Sequence, residues 1–332
     1  MRPFIAPFLL AALAAFSPQA SAVTIAWTPV GNPGNAADPA TGSLYGAVGY
    51  SYNIGTYDVT NSQYVEFLNA KDPNGTSPLQ LYNGNMSNPT YGGINYSAGN
   101  ANGSKYSVMS GDGNHPVNFV TFYDTLRFAN WLNNGGQTNS DTESGAYTLQ
   151  GGTPTPSNAN TITRSATATI FLPSENEWYK AAYYDPRTTA QGGPPSDSHY
   201  WLYPTSSNTA PTSSFPTATP NSANILPSGP VNLTDVGAYT GTTSPYGAYD
   251  MGGNVFQWNE ALIGGSSRGV RGGAFYYDSN LLLSSYRNYF DSTAERYIVG
   301  FRVAMVPIPE PSSFVLAALG FIALAAYRLR RR

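Results

Sequence analysis

Glu175 and Glu177 are the first pattern in this 332-residue sequence that suggests chemistry, because two close carboxylates can divide acid and base work. Glu177 also stands three residues after Ser174, where a helix-capping box needs it, and capping is the reading adopted here. The sequence has two histidines, His115 and His199, and His115 precedes Pro116, a position that suits a structural or surface role better than metal ligation. Ser284 and Ser285 have neither a Gly-x-Ser-x-Gly elbow nor a base close by, so no serine nucleophile is read from them. Arg271, Arg287 and Arg302 suit a carboxylate or glycan ligand, or buried pairing with Asp or backbone carbonyls, and the second is preferred. That leaves YGAYDMGGNVFQWNE, residues 246–260, where glycines and Asn254 separate Asp250 from Gln257 and Trp258. It can be a metal loop, a catalytic loop or a tight turn into a core strand.

These residues need elements to hold them. Thr60-Asn61-Ser62-Gln63 reads as a capping box, followed by Tyr64, Phe67 and Leu68 at helical spacing. Thr121 with Asp124 opens a second helix carrying Leu126, Phe128, Ala129 and Leu132 inward. Ser174 with Glu177 opens a third, with Trp178, Ala181 and Ala182 inward, and Asp185-Pro186 stops it. Strands are expected at 24–27, 50–57, 168–172, 269–274 and 300–306. Residues 74–113 read as a polar insertion, and 151–160 and 191–197 as turn-rich breaks. No fixed-period repeat is present, which argues against a solenoid or propeller. With so few regular elements, order must come from bound ions or aromatic packing, and the 25 tyrosines favour the second.

Both ends read as addresses. Arg2, an apolar run over 4–16 and Ala20-Ser21-Ala22 make a secretory signal over 1–22, so the mature chain is expected to start near Val23. At the other end, Pro309-Glu310-Pro311 precedes a short apolar run over 314–326 and then Arg328, Arg330, Arg331 and Arg332. Arg2 and the four tail arginines take five of the 16 basic residues, and Glu310 one of the 19 acidic ones; the body keeps 11 and 18, a net charge of −7. Such a surface repels phosphate backbones, so nucleic acid is excluded as a partner. With no cysteine, no disulfide staples an exported chain, but a body of this length can bury a sufficient core without one.

The tail, residues 307–332, resembles the PEP-CTERM sorting signal of Gram-negative bacteria: Pro-Glu-Pro, a short membrane helix and a basic end. That resemblance implies exosortase as a partner, transient contact with the membrane through the helix, and delivery to the cell surface, outer membrane or extracellular matrix after processing. The body, 23–306, carries YDVTNSQYVEFLNA, HPVNFVTFYDTLRFANWLN, FLPSENEWYKAAYYDP, NSANI, YGAYDMGGNVFQWNE, RGVRGGAFYYDSNLLLSSYRNYF and GFRVA in that order. Together these resemble the formylglycine-generating enzyme, or sulfatase-modifying factor, domain. The implied fold is α+β, a C-type-lectin-like variant with short sheets, three short helices and much irregular loop.

Oxidising members of that family hold copper on two cysteine thiolates just after an Arg-Gly-Gly motif, ligands that suit copper(I). The equivalent window here, AFYYDSNLLLSSYRN, places Tyr277 and Leu281 or Leu282 near those positions. The ergothioneine-synthase branch holds iron on three histidines, one more than this chain has. Neither copper nor iron is therefore expected, and no catalytic residue is assigned. The resemblance further implies two structural calcium sites. One falls on Asp250, Gly253, Val255 and Gln257, where the family usually has Glu at the last position; the other starts at Asn224 and Ile225. The functional expectation is a non-catalytic, exported binding or matrix protein. Tyr82, Tyr91, Tyr96, Tyr200 and Trp201 are candidates to stack on sugars of an extracellular polysaccharide, or simply to pack loops. The alternative is a formylglycine-generating-type or other metal-dependent oxidoreductase acting on a protein or small molecule.

Overall fold

The computed structural model describes residues 23–195 and 198–307. The expected signal segment and nearly all of the sorting tail, with the membrane helix expected there, lie outside the described residues. Among the described residues, no helix is long and apolar enough to cross a membrane.

Three α-helices form where the capping residues place them: α1 (Asn61–Lys71), α2 (Phe122–Asn133) and α3 (Glu175–Tyr183). Each opens on a complete capping box, with Thr60 and Gln63, Thr121 and Asp124, and Ser174 and Glu177 exchanging side-chain and backbone hydrogen bonds. Every box satisfies two otherwise orphaned N–H groups and sets the angle at which the chain enters the helix. The inward residues are those of the helical spacing. Tyr64, Phe67, Phe128, Trp131 and Phe301 pack as one aromatic knot with ring centroids 5.3–6.0 Å apart.

The strands are β1 (Trp27–Val30), β2 (Tyr52–Gly55), β3 (Ile94–Tyr96), β4 (Tyr106–Val108), β5 (Ile170–Phe171), β6 (Thr212–Ser213), β7 (Ser222–Ala223), β8 (Phe256–Ile263), β9 (Ser267–Arg271), β10 (Asn288–Asp291), β11 (Val299–Gly300) and β12 (Ala304–Met305). They make two four-stranded sheets, β1-β2-β12-β5 and β10-β9-β8-β11, and two small pairs, β3-β4 and β6-β7. In the first sheet Ala304 sits between Ile54 and Phe171, so the end of the domain closes onto its beginning. In the second, β8 and β9 are antiparallel, with a register irregularity between Trp258 and Leu262.

Several expectations need correction. The run expected at 24–27 pairs instead as Trp27–Val30, and 300–306 is two short strands in different sheets. The supposed insertion at 74–113 contains the β3-β4 hairpin. The longest strand, β8, is absent from the expected set. Neither face of FQWNEALI is uniformly apolar, so alternation gives no signal, yet Phe256, Gln257, Trp258 and Asn259 are all buried.

Aromatic packing does supply order. Trp131, Trp178 and Trp258 are nearly or wholly buried, and inner tyrosines place their hydroxyls on specific acceptors. Tyr52 donates to the Glu177 carbonyl, Tyr64 to that of Leu81, and Tyr183 to that of Leu282, at 2.5, 2.8 and 3.0 Å. Each such ring removes a large apolar area from water while its polar tip stays satisfied.

Candidate functional site

The carboxylate pair at the start of α3 is divided by geometry. Because Glu175 and Glu177 are two residues apart on a helix, they leave it in different directions. Glu175 receives Arg271 Nε at 2.9 Å and Arg287 through two nitrogens, the shortest at 2.6 Å. Arg271 also donates to the carbonyls of Ser284 and Tyr286, and its guanidinium lies 4.6 Å from the Tyr45 ring centre. Glu177 accepts from its own cap at Ser174 N, from Tyr50 and from both terminal nitrogens of Arg164. Arg164 also grips Glu260 and lies 3.6 Å over Phe171. Burial alone would raise Glu177, but these hydrogen bonds outweigh it and hold the carboxyl below its usual range. For Glu260 burial wins over Arg164, and its carboxyl is raised. Both carboxylates of the pair are thus occupied as structural anchors.

The 246–260 loop turns on residues with positive φ: Asp250 at 53°, Gly253 at 86° and Asn254 at 60°. A Cβ on Gly253 would lie 2.6 Å from the Asn224 carbonyl oxygen, so glycine alone lets the two segments meet here. Gln257, wholly buried, is the hub. Its Oε1 accepts from Trp178 Nε1 at 2.6 Å and Arg302 Nε at 2.7 Å, while its Nε2 donates to the Asp250 carbonyl at 2.7 Å. Arg302 spends its other N–H groups on the carbonyls of Gly55 and Tyr249 and on Asp58 Oδ1, at 2.8, 2.9 and 3.1 Å. Burial pushes Asp58 up to about 8 against the pull of Arg302. Its second oxygen has no hydrogen-bond partner. Burial likewise pushes Asp250 up to about 6, opposed by the Gly237 N–H that donates to it at 2.6 Å.

The turn that carries four of the six residues expected to ligate calcium meets Asn224. Asp250, Gly253, Val255 and Gln257 lie along one turn, and the Gln257 oxygen already serves two N–H donors. Asn224 is joined to that turn through Asn254: the Asn254 N–H donates to the Asn224 carbonyl, and Asn224 Nδ2 donates to Asn254 Oδ1, the Asn232 carbonyl and Thr234 Oγ1. Asn224 Oδ1 is buried without a partner, the feature a hard cation would use. The Ile225 carbonyl accepts from Gly229 N and from Ser213 Oγ. Asn254 and Asp58 are given no role by the sequence reading. Asn254 reads from sequence only as a spacer between Asp250 and Gln257, and a single Asp in a helix lead-in carries no local signal of its partner at Arg302.

The window after Gly273 is closed on one side and aromatic on the other. Leu282 is wholly buried and packs with Tyr203, Ala223 and Ile225. Leu281 packs against the main core. Tyr277 is 37 % exposed and Tyr276 43 % exposed. Tyr276 lies beside Phe275, Tyr277 and Tyr297, and Tyr91 stacks on Phe275 with centroids 6.0 Å apart. Of the other expected sugar-stacking rings, Tyr200 is buried with its hydroxyl on Asn35 and Ala36. Tyr82 and Tyr96 pack on each other and on Tyr106, and Trp201 Nε1 donates to Asp185. His115 lies between Asp112 and Asp235, at 3.5 and 3.7 Å, while His199 faces the Asp185 carbonyl. Among the described residues, no three of His, Cys, Asp and Glu group as metal ligands would.

The model of the sulfatase-modifying factor enzyme 1-like domain matches residues 40–306, most of the chain. The chain belongs to that family. Residues 307–332 of this sulfatase-modifying-factor-like protein match the PEP-CTERM protein-sorting motif, which implies export and sorting to the surface or membrane by exosortase. No curated protein matches it. Among solved structures, CarF aligns at 20 % identity with a TM-score of 0.55, covering 86 % of this chain and 99 % of CarF. Treponema denticola variable protein 1 aligns at 17 % identity and TM-score 0.48, covering 86 % and 99 % of the two chains. PvdO from Pseudomonas aeruginosa aligns at 16 % and 0.45, covering 85 % and 92 %. At such identities the CarF likeness supports the fold alone, a mixed α+β domain with three helices and several small sheets.

Proposed function

We propose that this chain is an exported, non-catalytic member of its family that works at the cell surface by binding or scaffolding. The observation that carries the reading is Tyr277 with Leu281 or Leu282. They stand near the positions that the resemblance gives to the two copper-binding thiolates; the first is a phenol, and both leucines are aliphatic and packed into the core. None offers a soft ligand, and the chain has no cysteine elsewhere to replace them. Glu175, Arg271 and Arg287 hold one another and the backbone. The proposal includes secretion through residues 1–22, placement at the outer membrane or matrix after tail processing, and an extracellular polysaccharide as ligand class. It also takes the fold to be the C-type-lectin variant, for which the small sheets and long irregular stretches speak. Calcium is proposed as a structural ion, with the Asn224 side favoured because Oδ1 there lacks a partner.

Elemental analysis of the purified full chain, combined with oxygen uptake in the presence of a cysteine-containing peptide, tests the central point. The expected result is substoichiometric copper and iron with no uptake. Stoichiometric copper or iron together with turnover would overturn it in favour of an oxidoreductase.

A further inference from the structure

A groove between α1, the β3-β4 turn and the turn after α2 has a volume of about 470 Å³. That falls in the range of roughly 300–1,000 Å³ usual for small-molecule sites. The cavities beside Asp58 and beside Arg164 and Glu260, at about 140 and 160 Å³, do not reach it. The groove shares no residue with the sites described above.

Its walls are pinned before any ligand arrives. Gly103 N donates to the Pro73 carbonyl at 2.8 Å, joining the β3-β4 turn to the end of α1. Lys71 donates to the carbonyls of Thr138 and Ser140 at 3.1 and 2.6 Å, joining α1 to the far wall. Trp131, at the base, donates through Nε1 to the Gln137 carbonyl at 2.9 Å. Asn69 exchanges hydrogen bonds with the backbone of Tyr106 on β4. Pinned walls lower the ordering cost of binding.

The lining keeps hydrogen-bonding capacity that the fold does not use. Among the described residues, the side chains of Glu66, Asn102 and Thr138 make no hydrogen bond, and Gln137 uses only its Nε2, on the Gly135 carbonyl. Glu66 is the one charged group in the lining. The nearby cations are tied down, Lys71 as above and Lys105 on the carbonyls of Ala98 and Asn100. A carboxylate, two amides and a hydroxyl beside Ala70, Pro73 and the edge of the buried Trp131 indole form a set rich in acceptors with a few donors and a small apolar base. Such a set matches a ligand whose hydroxyls both donate and accept and whose rings present C–H faces. A polyanion would meet Glu66 and the negative body instead.

We propose that this groove binds a short segment of a neutral saccharide chain, with Glu66, Asn102 and Thr138 reading its hydroxyls over Trp131. The inference adds a site to the binding reading above and holds whether or not the Tyr277 region is catalytic. It is tested by saturation-transfer NMR and calorimetry on the full chain, with the neutral tetrasaccharides of glucose, mannose and galactose as probes. Tetragalacturonate and a chitosan tetramer are the charged controls. The expected result is saturable binding of at least one neutral probe, weakened about five- to tenfold by each of Glu66→Gln and Asn102→Ala, as loss of one or two hydrogen bonds predicts. Both substitutions are at solvent-facing positions, and an unchanged melting temperature confirms that the fold is retained. The inference fails if no neutral probe saturates at about 10 mM, a Kd too weak for a specific site. Binding that both variants retain would also overturn it, as would binding of chitosan alone with loss on Glu66→Gln, which would assign the groove to amine-bearing chains.

Discussion

Replacing Arg302 with methionine probes the centre of the domain. Arg302 is wholly buried and donates to Gln257, to the carbonyls of Gly55 and Tyr249, and to Asp58. Methionine has similar reach and no charge, so the substitution leaves Asp58 buried with neither oxygen paired, because its Oδ2 already lacks a partner. Breaking one side of a buried ion pair costs about 3–5 kcal/mol. In a domain of this size each kcal/mol lowers Tm by about 2 °C, so a fall of roughly 6–10 °C is expected in a thermal melt well above pH 8, where Asp58 is ionised in the parent chain. The pH dependence gives a second readout. Asp58 sits at about 8 in the folded chain against an ordinary value of 3.8, so across that window the folded state holds the proton and stability falls as pH rises. Removing Arg302 raises the folded value further. The deficit of Arg302→Met should therefore be smallest near pH 4 and largest above pH 8. Above pH 8, adding Asp58→Asn removes the carboxylate that must otherwise ionise or be protonated in the core and should restore part of the loss, the hydrogen bonds to Gln257, Gly55 and Tyr249 staying lost. A fall in Tm below about 2 °C, equivalent to less than 1 kcal/mol, or a double variant no more stable than the single one, would refute the reasoning.

Further outcomes are expected elsewhere. Thr121→Ala removes the cap of α2 and should cost about 1 kcal/mol in chemical denaturation, while Thr121→Ser should restore it. Leu282→Ala opens a cavity among Tyr203, Ala223 and Ile225 and should cost about 2–5 kcal/mol without any change in metal content. Asp250, held at about 6 by burial, contributes stability that is fully present below its ordinary 3.8 and is lost as pH rises through about 6. Asp250→Asn, which keeps an acceptor for the Gly237 N–H, should flatten the stability profile between those pH values, measured by denaturant titration.

Much of this protein is decided by contacts a few residues apart, and these are legible in its sequence. Each capping box joins positions three apart, so Thr60, Thr121 and Ser174 announce the three helices before any tertiary contact exists. The ordered motifs from Tyr57 to Ala304 indicate the family, and the absence of cysteine is a matter of composition. What Gln257, Leu282 and Asp58 do is a matter of distant partners. Gln257 takes donors from Trp178 and Arg302, 79 and 45 positions away, and Asp58 meets an arginine 244 positions along the chain. No local spacing reveals that the Gln257 oxygen is filled by N–H groups, that Asn224 retains a bare one, or that Leu282 seals its position against Ile225. The groove beneath Asn102 is likewise a product of three segments meeting over Trp131. Side-chain type and short spacing specify where helices begin. Which polar atoms are consumed and which remain free follows only when distant segments pack, because desolvation forces each buried group to take whatever partner the fold brings to it.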